Sequence, residues 1–522
     1  MSFWNRSQQM GWAALIMGAS ILISRFMGLF RDKAISFLFG ATRESDLYFA
    51  AFVIPDFINY LLAGAYFSIT LIPLLSAYFD QDQEDGWRFF SAVFTWIGLL
   101  ITLLTCLGMV FAPHLAYLAA PGLEADGLAR LTFFLRIILP AQVFFLVGSC
   151  FTAILYLRKQ FLVPALTPLV YNLLIILGGV LLRGRGMEGF CWGVLAGAFV
   201  GFFLLPCLAV KYGGGLRLDF SLSHPGLGKF FFLALPLMLG QSIVVLDEQF
   251  VRIFGSLAGV GAISWLNYAR RIMLVPVGVV AQAAGVASYP FLAELAARKD
   301  YTRFHEAVRN ALRSVLTLLI PLSVWMMIVA EPTIRLIFQQ GLFDPSDTGR
   351  TALLLQILLA SVSCWGFQQL LGRAFYARQD TLTPAILGTI TTLVSIPFFY
   401  LLSRQLQATG VAIASAGSIA LYTGILALWW RHRLGGEAFS GLAKDLLNLC
   451  LLTLIASGPA VTIVRFGFID RVSHPYLEAL YAISASGLCF GALFLALSVR
   501  FIPSLISPFL SRLGPLGQWI NR

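Results

Sequence analysis

The stretch SRFMGLFRDK (residues 24–33), followed by FGATRESDLYFAAFVIPDFINY (residues 39–60), decides how the chain is read. It lies across two long apolar runs, yet it carries Arg25, Arg31, Asp32, Lys33, Asp46 and Asp56. An ionisable side chain near a bilayer centre costs about 2.5–3.5 kcal/mol on insertion scales. Several of them in neighbouring runs require a polar interior or a water-filled cavity to receive them.

The rest of the chain supports a membrane setting. Of its 522 residues, 59% are hydrophobic and only 12% are charged, where soluble domains run near a quarter charged. About fourteen apolar runs reach the roughly 20 residues needed to span hydrocarbon. The expected fold is therefore an all-α polytopic membrane protein. An even number of spans puts both termini on one side, and the excess of Lys and Arg in alternate loops assigns that side to the cytoplasm. Asp80 to Asp85 runs against this trend. The formal charge of +11 follows from topology, so no nucleic-acid partner is expected. All seven cysteines sit in apolar runs, without CxxC or metal-ligand spacing, so neither a metal site nor a cofactor is expected. The loops are short, and none of the five histidines lies mid-span near an acid, which argues against an enzyme.

The chain also repeats itself. YLRKQFLVPA (residues 156–165) aligns with YARQDTLTPA (residues 376–385), and RFFSAV from Arg88 aligns with RFHEAV from Arg303. Gly122 and Gly197 align with Gly341 and Gly417 at nearly the same offset. The unit holds six spans, giving lobes over 1–212 and 226–432, with two further spans within 443–502. Six is even, so the two lobes insert in the same orientation and are expected to surround a central cavity.

Each charged position has an ordinary alternative. Arg25 and Asp32 are seven residues apart and share a helix face, whereas Arg31 shares the face of Ser24. Lys33 can snorkel to headgroups. Asp32 is expected to partner a neighbouring arginine, because a lone carboxylate in hydrocarbon would protonate. Asp46 opens the second span and suits a helix N-terminus. Asp56 follows Pro55 and shares a face with Asn59, as a hinge or site wall would. Arg270 and Arg271 are adjacent and point about 100° apart. Glu248 and Arg252 can neutralise each other at i,i+4, leaving Asp247 as a candidate ion-coupling site. Glu331 and Arg335 repeat that pairing. Arg136 and Arg373 are read as structural, held by helix-end carbonyls. Cations thus arise in both lobes, and guanidinium suits phosphate because its planar fork binds two oxygens.

SRFMGLFRD at the first span, DLYFAAFVIP at the second, SWLNYARR (residues 264–271) and FYARQDTLTP (residues 375–384) resemble the MurJ/MviN family of lipid II flippases, within the multidrug/oligosaccharidyl-lipid/polysaccharide exporter superfamily. The resemblance implies movement of lipid II, the undecaprenyl-diphosphate-linked peptidoglycan precursor, across the bacterial inner membrane. It also implies a headgroup cavity lined by Arg25, Arg31, Asp46 and Arg271, and a lipid-tail groove on the last two spans. No cofactor is implied beyond a sodium or proton gradient or the membrane potential, and a monomer among membrane lipids is expected. Asn59 stands where relatives carry arginine, Gly64 near a usual glutamate, and Arg270 at a frequent aspartate. Another polyprenyl-diphosphate-linked oligosaccharide is the alternative cargo.

Overall fold

Inside hydrocarbon there is no water for backbone N–H and C=O groups, so each span must satisfy them within itself. All regular structure among the described residues is accordingly helical. The computed structural model describes residues 10–63, 66–213, 215–220, 222–242, 246–466 and 475–510; Gly64 lies outside them. The chain divides into two compact units, Met1–Ser264 and Trp265–Arg522.

The first unit begins with α1 (Met10–Phe39), α2 (Arg43–Ala50), α3 (Val53–Ala63), α4 (Tyr66–Gln81), α5 (Gln83–Val110) and α6 (Ala112–Ala119). It continues with α7 (Ala125–Ile138), α8 (Ala141–Leu157), α9 (Leu162–Leu181), α10 (Glu188–Gly197), α11 (Leu205–Tyr212), α12 (Gly226–Ser242) and α13 (Leu246–Gly255). Helix α14 (Ala262–Pro276) contains the division between the units. The second unit continues with α15 (Gln282–Ala297), α16 (Tyr301–Ile328), α17 (Ala330–Phe338), α18 (Pro345–Leu359) and α19 (Val362–Ala377). It ends with α20 (Leu382–Leu434), α21 (Leu442–Phe466), α22 (Pro475–Phe501) and α23 (Pro503–Leu510).

Among the described residues, nine helices are long and apolar enough to cross a membrane, or ten if α18 and α19, bent by 40°, make one span. The expected runs do not each become one unbroken helix. The second run breaks between α2 and α3 at Ala51–Phe52. Pro55 explains the break, because it has no N–H to give the carbonyl four residues back. The 53-residue α20 is two helices meeting at Gln407, whose φ of 52° and ψ of −135° are not helical.

Packing places α12 against α3 and α4, and α13 against α3. These helices therefore belong to the first compact unit, although the sequence repeat puts its divide at residues 213–225. Phe89, Phe90, Phe151 and Phe230 are buried in that unit's core. Leu99, Leu103 and Leu107 form an exposed stripe on α5, the apolar face that lipid solvates. Helices α9 and α10 approach closely. A Cβ on Gly193 would stand 2.7 Å from the Leu174 carbonyl oxygen, and one on Gly178 would stand 2.7 Å from that of Gly189. Gly189, Gly193, Gly197 and Gly201 recur every fourth residue, the small-residue spacing that lets membrane helices touch backbone to backbone.

The repeated segments fold into the same turn. After α8, Lys159 adopts φ 57° while Gln160 N donates to Leu155 O at 2.8 Å. After α19, Gln379 adopts φ 62° while Asp380 N donates to Phe375 O at 3.0 Å. Both are left-handed helix stops that satisfy orphan carbonyls. The acidic run at Asp80–Asp85 also has a local reason. Asp82 caps α5 by accepting from Glu84 N and Asp85 N, Glu84 pairs with Arg88 at 2.7 Å, and Asp85 meets His224 at 3.2 Å.

Candidate substrate site

In the first unit, Arg31 on α1 is a buried cation. Its Nη2 stands 2.9 Å and its Nε 3.1 Å from Asp32 Oδ1. The same guanidinium donates to Asn172 Oδ1 of α9 at 3.4 Å. Asn172 is oriented by its own donation to Pro168 O at 2.9 Å. The Arg31 side chain is 14% exposed and that of Asp32 is 0% exposed. Asp32 thus partners the adjacent arginine, one of the two its position allowed. Tyr48 and Tyr171 are near enough to interact electrostatically with Arg31, and the Tyr48 hydroxyl is buried. Ser24 is half-buried, while Arg25 lies on the open side of α1.

Asp46 is almost fully buried and both its oxygens are engaged. Oδ2 accepts from Gly261 N at 2.6 Å, and Oδ1 accepts from Ser264 N at 2.8 Å and Ser264 Oγ at 2.6 Å. Its carboxylate therefore satisfies orphan N–H groups at the start of α14, where a negative charge also complements the helix dipole.

Arg252 of α13 makes the second buried cluster. Nη1 contacts Asp56 Oδ2 at 2.6 Å and Nη2 contacts Glu248 Oε1 at 2.7 Å, with Gln249 Oε1 at 3.4 Å. The i,i+4 pair expected within α13 is present, and Asp56 of α3 joins it. The triad holds two carboxylates and one guanidinium. Nothing local in the sequence points to Arg252 as a partner of Asp56, because 196 residues separate them. Asn59, one turn beyond Asp56, is half-buried, as is Asp247.

In the second unit, adjacent Arg270 and Arg271 diverge as helix geometry demands. Arg270 is 7% exposed and its guanidinium carbon lies 5.3 Å from the Trp365 ring centre. Arg271 is more open. A few residues earlier on α14, Trp265 Nε1 donates to Asp347 at 2.8 Å and Arg350 stands 4.6 Å from the Trp265 ring. The span-end pair Glu331–Arg335 forms at 2.7 Å, and Glu478 of α22 joins it at 3.7 Å. In the first unit, Arg136 donates to the Met109 carbonyl at 3.3 Å, a helix-end contact of the expected kind.

Comparison with known proteins adds a family. A family model described as "Lipid II flippase MurJ" matches residues 35–476. The "Probable lipid II flippase MurJ" of Vibrio cholerae is 28% identical over 428 residues, covering 79% of this chain and 81% of its own. The "Lipid II flippase MurJ" of Burkholderia cenocepacia is 25% identical over 456 residues, covering 85% and 88%. A solved "Lipid II flippase MurJ, inward closed conformation" superposes with a TM-score of 0.78 at 24% identity, covering 94% of this chain and 100% of its own. An inward-facing multidrug resistance MATE family transporter of the MOP superfamily superposes with a TM-score of 0.66 at 16% identity, covering 81% and 98%. The two structures establish a shared transporter fold, and the family model runs through both units and most of the chain. The chain therefore belongs to the lipid II flippase MurJ family, a family of multi-pass membrane transporters rather than enzymes.

Proposed function

We propose that this chain carries lipid II from the cytoplasmic to the periplasmic leaflet of the bacterial inner membrane by alternating access. The reading rests above all on the family match over residues 35–476, which contains Asp46, Arg270 and Arg271. The lobes 1–212 and 226–432 rock, the helices within 443–502 guide the lipid tail, and both termini face the cytoplasm, as the positive-inside bias favours. Arg25 and Arg31 from one half, and Arg270 and Arg271 from the other, bind the diphosphate and its headgroup. Arg271 is the more accessible of its pair, and Arg270 sets its position from the face of Trp365. Asp46, with both oxygens bonded, acts by holding the start of α14.

The departure at Asn59 also finds a partner. Asp56 and Asn59 share one face of α3, and Arg252 reaches that face through Asp56. Arg252 thus supplies a cation on the face of α3 that carries Asn59. Its triad has an acid excess, so α13, with Asp247, is the place for cation coupling to an ion gradient.

Complementation tests the proposal. The chain is expressed in a bacterium depleted of its own lipid II flippase, with survival and periplasmic exposure of labelled lipid II as readouts. Rescue that is lost in Arg271→Ala is expected. Failure by a well-expressed, membrane-inserted chain would refute lipid II as cargo and favour another polyprenyl-diphosphate-linked oligosaccharide.

A further inference from the structure

One feature of the second unit stands apart from the transport site. A cavity of about 780 Å³ is lined by His305, Glu306 and Arg309 of α16, by Arg431 at the end of α20, and by Glu437 and Ser440 in the turn that follows. That volume lies within the range of ordinary small-ligand pockets. His305 is only 5% exposed, and its Nδ1 has no hydrogen-bond partner. Arg309 Nε is buried and likewise unpartnered. Buried polar atoms are rarely left unsatisfied, so these two atoms mark a place prepared for a ligand.

His305 itself packs against aromatic neighbours. The His305 ring stands edge-on to Trp430 at 6.0 Å, and Phe304 stacks on the same indole at 6.2 Å. The charges decide the ligand class. Two guanidinium groups and two carboxylates line the cavity, and among the described residues none of the four is held in a salt bridge. A simple anion would meet two carboxylates, and a simple cation would meet two guanidinium groups. A molecule carrying both signs a few ångströms apart satisfies all four.

We propose that this cavity binds a phosphate-bearing zwitterion of the phosphoethanolamine type. The phosphate lies on Arg309 and Arg431 and accepts from Nδ1–H of His305, while the ammonium donates to Glu306 and Glu437. The same chemistry is offered by a phospholipid headgroup and by a soluble phosphoamine.

The test uses the full chain, purified in lipid-free detergent, with binding followed by calorimetry and by the shift in unfolding temperature. The probes are O-phosphoethanolamine, inorganic phosphate, ethanolamine and dihexanoyl-phosphatidylethanolamine. O-phosphoethanolamine should bind at least tenfold more tightly than phosphate or ethanolamine. Arg431→Gln, an exposed position, should weaken it at least tenfold, and Glu437→Gln should erase its advantage over phosphate. Tenfold tighter binding of the short-chain lipid supports a membrane headgroup, and equal binding supports a soluble ligand. Phosphate binding as tightly as phosphoethanolamine, no binding of either by the wild-type chain, or unchanged binding by both variants would overturn the proposal.

Discussion

Arg31 and Arg270 are both guanidinium groups buried in apolar helices, one in each unit, and each has a different kind of neighbour. Arg31 shares its charge with Asp32, which has no exposure of its own. Arg252 goes further and lies between two carboxylates. Arg270 rests on the face of Trp365. A carboxylate partner cancels charge, whereas an aromatic face lowers the cost of burying a cation and leaves its charge in place. Under the proposed function, the difference bears on where an anionic cargo would bind. In the first unit a phosphate must compete with carboxylates for guanidinium hydrogen bonds. In the second, the Trp365 ring faces Arg270 without bringing a negative charge of its own.

The largest test breaks the Arg31 pair. Arg31→Leu removes the guanidinium that meets the buried Asp32, and removing one partner of such a pair costs about 3–5 kcal/mol. Thermal unfolding in detergent should show a large drop, and flipping should cease. The double change Arg31→Leu with Asp32→Leu should recover most of the stability but not transport. A double variant as unstable as the single one would show that unpaired charge is not the cause.

Arg252→Leu should cost about as much, roughly 3 kcal/mol or more, because Asp56 and Glu248 then lose the guanidinium that both contact. Adding Asp56→Asn should restore part of the loss. If that second change deepens the loss, the triad is not organised around its guanidinium.

Trp365→Leu probes the other side of the comparison. A desolvated cation–π contact is worth about 2 kcal/mol and an exposed one about 0.5–1 kcal/mol. The loss in unfolding free energy should therefore be clearly smaller than for Arg31→Leu, while transport falls because Arg270 loses its seat. Equal losses at the two sites would erase the distinction.

The smallest effect is expected at Asp344, a cap outside the spans. It accepts from Asp347 N at 2.8 Å at the start of α18. That N–H, with the Ser346 hydroxyl, holds its carboxyl below the ordinary value of 3.8. The contribution is present above the unfolded-state value and is lost as pH falls through the lower folded one. Asp344→Ala should cost about 1 kcal/mol at neutral pH, and the gap from wild type should close in acid. A gap unchanged by acid would mean that the ionised carboxylate is not what caps the helix.

Much of this was legible in the chain because it is local. A buried backbone obliges apolar runs to be helices, and the repeat around Tyr156 and Tyr376 specifies the same helix stop twice. The pairs Glu248–Arg252 and Glu331–Arg335 follow from helical spacing alone. Glycines at every fourth position from Gly189 carry their own signal for close packing on α9. Tertiary structure decided the rest. Asp56 finds Arg252 across 196 residues, and Asp46 finds Ser264 across 218. The sequence around each of those aspartates is equally compatible with a cargo ligand, a helix cap or a hinge. Nor does the spacing of Arg270 and Arg271 say which one meets an aromatic ring. A sequence determines which groups are costly to bury; only packing over long separations determines which neighbour offsets that cost, because the partner is chosen by proximity in space and not along the chain.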